Sequence, residues 1–300
     1  MRIAFSTLAC PEWTLSQVFE FGEDSAFDGV ELRTFAEPSM QFACEPLLTS
    51  TDKLRRMASG AGFEMAALAT SCRFDQPVFP PVLGRALPTY TRPISDAQAF
   101  VRFADDLECP IVRVFAFEPQ GRESLASFFR RVGERLRAVA DSARARNAVV
   151  AVENAGAFGA AEDLAALLDE VDHPRLRASY NVAVGAWCGD DPAEAATALA
   201  GRTSLLRIKD VDASGMPSAL GSGEVPNREA IEAFFAQGFR GWGVYEWDRA
   251  WAADLDATIA PAAEAVPAAG DLLRSWVTPL VSVTSEKLRG VRTPDAPVTM

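Results

Sequence analysis

Short apolar runs punctuate the chain at residues 3–8, 28–32, 63–70, 110–116, 148–153, 177–182, 204–209 and 241–246, with helically spaced segments between them. The clearest helix lies at 124–146, where Leu125, Phe128, Phe129, Val132, Leu136, Val139 and Ala143 recur at three- and four-residue steps. Arg130, Arg131, Arg135 and Arg137 fall largely on its other face. Eight strand-then-helix pairs point to parallel strands, and eight is the number that closes a (β/α)8 barrel. A doubly wound open sheet shares this rhythm, but no G-x-G-x-x-G follows the first strand, where a dinucleotide fold carries it.

The joints carry start and stop chemistry. Gly22, Gly60-Ala61-Gly62 and Gly238 are placed near helix ends, and Ser95-Asp96 and Asp191-Pro192 read as helix starts. Two regions break the rhythm. Residues 73–94 hold Pro77, Pro80, Pro81, Pro88 and Pro93 with Phe74, Phe79 and Tyr90, too long and proline-rich for an ordinary connection. Lying after the third strand, this loop would serve as a lid over the barrel mouth or as a structural loop packed on its rim. A polar tail at 283–300 follows a single barrel domain at 1–282 and reads as a frayed end or subunit arm.

Four later strands end in polar residues: Val149–Asn154, Ala178–Asn181, Leu205–Asp210 and Gly243–Asp248. The C-terminal ends of barrel strands are where such folds keep their active sites. Strand alternation then sorts the side chains. Glu153 shares its face with Ala151 and Val149, Asn181 with Ser179, Arg207 with Lys209, and Glu246 with Val244 and Trp242. These polar residues converge at the barrel top, where Glu31, Arg33 and Arg113 join them from the opposite wall. Two inward carboxylates about 4 Å apart repel by about 4 kcal/mol at an effective dielectric near 20. A divalent cation, a basic side chain or a shared proton can relieve that repulsion.

Composition narrows the picture. Three hundred residues at 49% apolar can bury one large core, and a net charge of −12 argues against nucleic acid. Five widely spaced cysteines without a C-x-x-C read as reduced thiols, no apolar stretch reaches membrane-spanning length, and no leader precedes the first strand. The expectation is a cytoplasmic protein with a small-molecule substrate. The single histidine, His173 in Val171-Asp172-His173-Pro174, reads as a surface loop residue at the opposite end of the barrel.

Several segments in order resemble the xylose-isomerase-like TIM barrels of the sugar phosphate isomerase/epimerase superfamily, which also contains an endonuclease branch. They are Phe27-Asp28-Gly29-Val30-Glu31-Leu32-Arg33, Val152-Glu153-Asn154, Arg207-Ile208-Lys209-Asp210, Leu220–Pro226 and Gly241–Arg249, within about residues 1–280. The resemblance implies a divalent metal, Mn or Mg by default, held by Glu, Asp, His and Glu on strands five to eight, with the two Glu moving protons between neighbouring carbons. Glu153 and Glu246 match that pair, but Asn181 stands where the Asp belongs, Arg207 where the His belongs and Val184 where a further His often lies. Asn keeps a carbonyl oxygen as a weaker ligand, whereas a guanidinium cannot ligate and stays charged. A unit positive charge about 4 Å from a dication costs roughly 8 kcal/mol, nearly six decades of affinity.

These readings predict a metal-free isomerase or epimerase with no cofactor and with Glu153 and Glu246 as catalytic residues. Asn181, Arg207, Lys209, Glu31, Arg33, Arg113 and Trp247 are the predicted substrate contacts. Trp247 and Trp251 suit stacking on a sugar or packing around the last loop, and Gly221-Ser222-Gly223 could cradle a phosphate. The alternative is a barrel that has lost catalysis and binds a sugar-like ligand or a partner. Endonuclease action is remote for a chain with one His and this charge, no membrane partner is expected, and a homodimer fits the family's habit and the polar tail.

Overall fold

The computed structural model describes residues 1–35, 42–77, 88–251 and 259–290. In chain order the elements are β1 (Arg2–Ser6), α1 (Leu15–Glu23), β2 (Gly29–Arg33), α2 (Thr51–Ala61), β3 (Glu64–Arg73), α3 (Pro88–Asp106), β4 (Ile111–Phe115), α4 (Leu125–Ser142), β5 (Val149–Glu153) and α5 (Ala161–Val171). They continue with β6 (Leu176–Asn181), α6 (Val182–Trp187), α7 (Pro192–Ala198), β7 (Thr203–Ile208), β8 (Asp210–Val211), β9 (Pro217–Ser218), α8 (Asn227–Ala236), β10 (Trp242–Tyr245) and α9 (Ala262–Gly290). The strands close in the order β1-β10-β7-β6-β5-β4-β3-β2, all pairs parallel. This is the (β/α)8 barrel expected from the apolar runs. The antiparallel β8–β9 ribbon is an addition that the rhythm did not announce.

Two apolar populations hold the barrel. Outward strand residues such as Ile3, Phe5, Val30, Leu32, Val150 and Ile208 pack against the helices in the larger core. The barrel interior is separate and smaller: Ala4, Ala66, Ala67, Ile111, Ala151, Leu205, Trp242 and Val244. The bulk of Trp242 is possible because β2 presents Gly29 on the same inner face. A Cβ there would lie 3.0 Å from the indole and 2.4 Å from the Glu64 carbonyl oxygen. The four alanines leave the centre of the barrel narrow-walled but roomy, so long side chains from the strand tops have space to lie inward.

Several joints behave as the sequence suggests. Asp191 caps α7 by accepting from the Ala193 and Glu194 amides, ahead of Pro192. Gly62 ends α2 with φ 61°, where a side chain would be strained. Gly22 also lies near a helix end, in the last turn of α1, but its φ is not left-handed and its lack of a Cβ serves instead to admit the Phe63 ring. The Ser95-Asp96 helix start is corrected: α3 already begins at Pro88, a residue suited to the first helical position.

The arginine face of α4 is divided, with Arg130 and Arg137 exposed. Arg131 and Arg135 are buried, because the chain leaving β3 crosses this helix and its carbonyls need donors. Arg131 donates to the carbonyls of Phe74 (2.9 Å), Gln76 (2.7 Å) and Asp75 (3.1 Å), and Arg135 to those of Phe74 and Gln76 (both 2.7 Å). They anchor the root of the proline-rich segment, whose residues 78–87 lie outside the described residues, as do 291–300 of the tail. The last helix runs through position 282 to Gly290. No described helix is long and apolar enough to cross a membrane. All five cysteines are unpaired: Cys10, Cys44 and Cys109 are buried and Cys188 is exposed.

Candidate active site

Arg207 is the centre of a buried charge network at the C-terminal end of the strands. It projects from β7 into the barrel, is fully buried, and crosses to β2, where its two terminal nitrogens grip Glu31 at 2.6 and 3.1 Å. The forked pair is therefore with Glu31 on the opposite wall. Glu246 and Glu153, the two glutamates matched by the resemblance, contact the same guanidinium singly. Its Nη2 also donates to Glu246 at 2.8 Å, and its Nε lies 3.2 Å from Glu153 Oε2, close enough for an ion pair but without hydrogen-bond alignment. Arg113 approaches the same Glu153 oxygen at 3.2 Å, again unaligned. Asn181 donates its side-chain amide to Glu153 Oε1 at 3.1 Å.

The local backbone explains these positions. In the parallel register Arg207 pairs with Val244 of β10 and Asn181 of β6, and Glu153 with Phe115 and Ser179. Glu246 follows β10, with its amide on the Ile208 carbonyl at 2.8 Å. Asn181 also caps α6 by accepting from the Val184 amide. Val184 is thus a helix residue held by the site's own asparagine.

Electrostatics follow from burial. Desolvation would raise the Glu246 carboxyl, but Arg207 and Lys209 outweigh it and hold its pKa down to about 2. Desolvation likewise acts to lower Arg207, and Glu153, Glu246 and Glu31 overcome it and hold the guanidinium well above its ordinary value. Lys209 is raised in spite of burial, by Glu246 and Asp248. It pairs with Asp248 at 2.9 Å at the edge of the network. Asp248 itself is raised, first by burial and then by the nearby Glu246.

Glu31, Glu153, Glu246, Asn181, Arg207 and Arg113 are thus brought together, with Lys209 at the rim. Arg33 lies beside them, donating to the Ala69 carbonyl and the Ser71 hydroxyl, both at 2.9 Å. Trp247 is corrected: its indole turns away into the helix-side core and donates to the Ala260 carbonyl at 3.0 Å. Alternation predicts this, since Glu246 faces inward and its neighbour must not. Trp251 is 51% exposed and meets the Phe35 ring edge-on.

His173 is corrected too: it is buried at the far end of the barrel, between the Arg175 amide and Asp141. The Gly221-Ser222-Gly223 turn is already filled by an internal anion. Asp210 accepts from the amides of Gly221 (2.8 Å), Gly223 (3.1 Å), Val225 (3.2 Å) and Val211 (3.0 Å). Sequence reasoning missed Asp248, which continuing the alternation two residues beyond Glu246 would have found. It also missed Ser71 and Trp187, whose ring centroid lies 5.9 Å from Lys209 Nζ. The first sits in a register shift of β3 between Ala69 and Arg73, which no periodicity reveals.

These donors do not fit a divalent cation. The position between Glu31, Glu153 and Glu246 is held by a guanidinium, which cannot ligate, and Asn181 turns an N–H toward Glu153. Among the described residues, no group of three or more His, Cys, Asp or Glu could hold a metal ion. The network can instead offer carboxylates as proton acceptors and guanidinium groups to a developing oxyanion.

Comparison with known proteins gives the same architecture. The model of the xylose isomerase-like TIM barrel family matches residues 19–276. Among solved structures, an L-ribulose 3-epimerase aligns with TM-score 0.73 at 15% identity, covering 99% of each chain. The 3-keto-D-glucoside 4-epimerase of E. coli aligns with TM-score 0.71 at 15% identity, over 93% of this chain and 99% of that one. The IOLI protein, described with a binding zinc atom, aligns with TM-score 0.73 at 15% identity over 94% and 98%. No curated protein matches the chain in sequence.

Proposed function

We propose that this chain, which belongs to the xylose isomerase-like TIM barrel family, is a sugar isomerase or epimerase-like enzyme that moves protons on a small hydroxy-carbonyl compound derived from a sugar or polyol. The observation that carries the proposal is the convergence of Glu153 and Glu246 on the single guanidinium of Arg207 at the barrel's catalytic end. Glu153 Oε2 has two positive groups 3.2 Å away and no aligned donor, so it keeps a lone pair for an incoming proton. In the proposed reaction a carboxylate takes the proton from the carbon beside the carbonyl, the C–H electrons form an enediolate, and Arg207 and Lys209 stabilise its oxygen. For isomerisation the protonated carboxyl returns the proton to the neighbouring carbon on the same face while the hydroxyl proton passes to the old carbonyl oxygen. For epimerisation the second carboxyl, protonated beforehand, delivers its proton to the opposite face of the same carbon.

No step is routed through a metal, since the donor set does not suit one. The test is exchange of substrate C–H for deuterium in D2O, followed by NMR over a panel of ketoses and aldoses. Exchange is expected to survive strong chelation and to fall at least 10³-fold in Glu153→Gln, the scale of a lost general base. Activity lost to chelator and restored by Mn or Mg would overturn the metal-free mechanism.

A second reading rests on the depressed pKa of Glu246 and the full engagement of Arg207. A carboxylate held so firmly ionised is a weak base, which suits a barrel that binds a sugar-like ligand or a partner without turnover. Ligand-dependent thermal stabilisation with no deuterium exchange would select it.

A further inference from the structure

Arg33 and Arg113 straddle the top of β3. Arg33 reaches the Ala69 carbonyl and Ser71, and Arg113 reaches the Thr70 carbonyl at 3.2 Å while the Thr70 hydroxyl donates to the Arg113 carbonyl at 2.7 Å. The register shift of β3 between Ala69 and Arg73 is what turns successive carbonyls toward the two arginines. Each guanidinium lies against a phenyl ring, Arg33 at 4.1 Å from the Phe35 centroid and Arg113 at 4.3 Å from that of Phe115. The rings fix the planes but supply no lone pair.

Among the described residues the charge balance at this spot is incomplete. Arg33 is 4% exposed, yet among the described residues it has no carboxylate at ion-pair distance, and its buried Nε has no acceptor. Its two bonds go to neutral oxygens. A buried cation normally has a counter-charge, because desolvation is otherwise uncompensated. The nearest charges do not supply one: Glu31 is gripped by Arg207, and Glu153 lies between Arg113 and Arg207. Burial first, and then the like charge of Arg113, push the Arg33 guanidinium below its ordinary value. Both guanidinium groups are buried, but Ser71, which accepts from Arg33 Nη2, is an exposed residue, so the surface is one side chain away from the Arg33 fork.

We propose that Arg33 and Arg113 form an oxyanion-binding subsite, so that the substrate carries a carboxylate or phosphate group beside its hydroxy-carbonyl carbons. This rests on the proposed function for the reacting carbons, but its own evidence is the buried Arg33 guanidinium, which has no carboxylate at ion-pair distance among the described residues, set beside the like charge of Arg113. The anion would take the unused Arg33 Nε, while the network around Arg207 handles the proton chemistry.

The test is binding by the full chain, independent of turnover. Thermal unfolding is followed in glycolate, in inorganic phosphate and in chloride at matched ionic strength. At least one oxyanion is expected to raise Tm by about 2 °C or more over chloride, and the gain should vanish in Arg33→Met. A gain with glycolate alone assigns a carboxylate, and one with phosphate alone a phosphoryl group. Arg33→Lys, which keeps the charge and loses the fork, should show a reduced gain and replaces Arg33→Met if that variant does not fold. No gain with either anion, or an equal gain in the variants, overturns the subsite. Deuterium exchange into neutral sugars without an anion response would sink this inference alone. An anion response without exchange would sink the proposed reaction alone.

Discussion

Arg207 is the residue whose removal has the clearest consequence. Arg207→Met leaves Glu31, Glu153 and Glu246 buried around an apolar side chain, and breaking a buried pair in this way costs about 3–5 kcal/mol. Denaturant unfolding should show that loss. Glu246 also sets a pH dependence. Its folded pKa lies below its ordinary value, so its stabilising contribution is complete above about pH 4.5 and is lost as pH falls toward 2. Asp248, raised in the fold, has the opposite sign and offsets part of that acid limb. In Arg207→Met the Glu246 pKa should rise, which side-chain carboxyl NMR would read; an unchanged titration would show that Arg207 does not control it. At this scale the sequence was legible wherever alternation applied. Glu153, Asn181, Arg207 and Glu246 point inward as the period-2 pattern requires, and the one residue chosen against that pattern, Trp247, points away.

Strands and helices were legible as elements because their apolar periods are local, whereas their contacts were not. The arginines of α4 could be placed opposite its apolar stripe, but nothing in the helix itself announces that the chain after β3 passes over two of them. The turn around Gly221 read as a phosphate cradle for a related reason: the amides are real anion donors, and Asp210, eleven residues earlier, fills them. Asp210→Ala should therefore unfasten the whole β7–α8 connection, costing about 2–4 kcal/mol for several charge-assisted bonds lost at once. Limited proteolysis should then cut within 211–226. A variant as resistant as the parent would show that the ribbon β8–β9 holds the loop unaided.

The whole barrel could be counted from eight apolar runs, but the way it is braced could not. Which glutamate would take the forked grip of Arg207 depended on the diameter of the closed barrel and on the alanine-lined room at its centre, neither of which is written locally. The Glu31–Arg207 contact joins residues 176 positions apart and links β2 to β7 across the axis. A contact of such sequence separation carries a large loop-closure cost, so we predict that it forms late in folding and reports closure of the ring. We predict that Arg207→Met accelerates unfolding by most of its stability loss and leaves the refolding rate nearly unchanged. Stopped-flow chevrons would test this, and an equal slowing of refolding would place closure before the rate-limiting step. The same side chain that gathers the three buried carboxylates would then act as the latch of the ring, setting how long each closed molecule lasts.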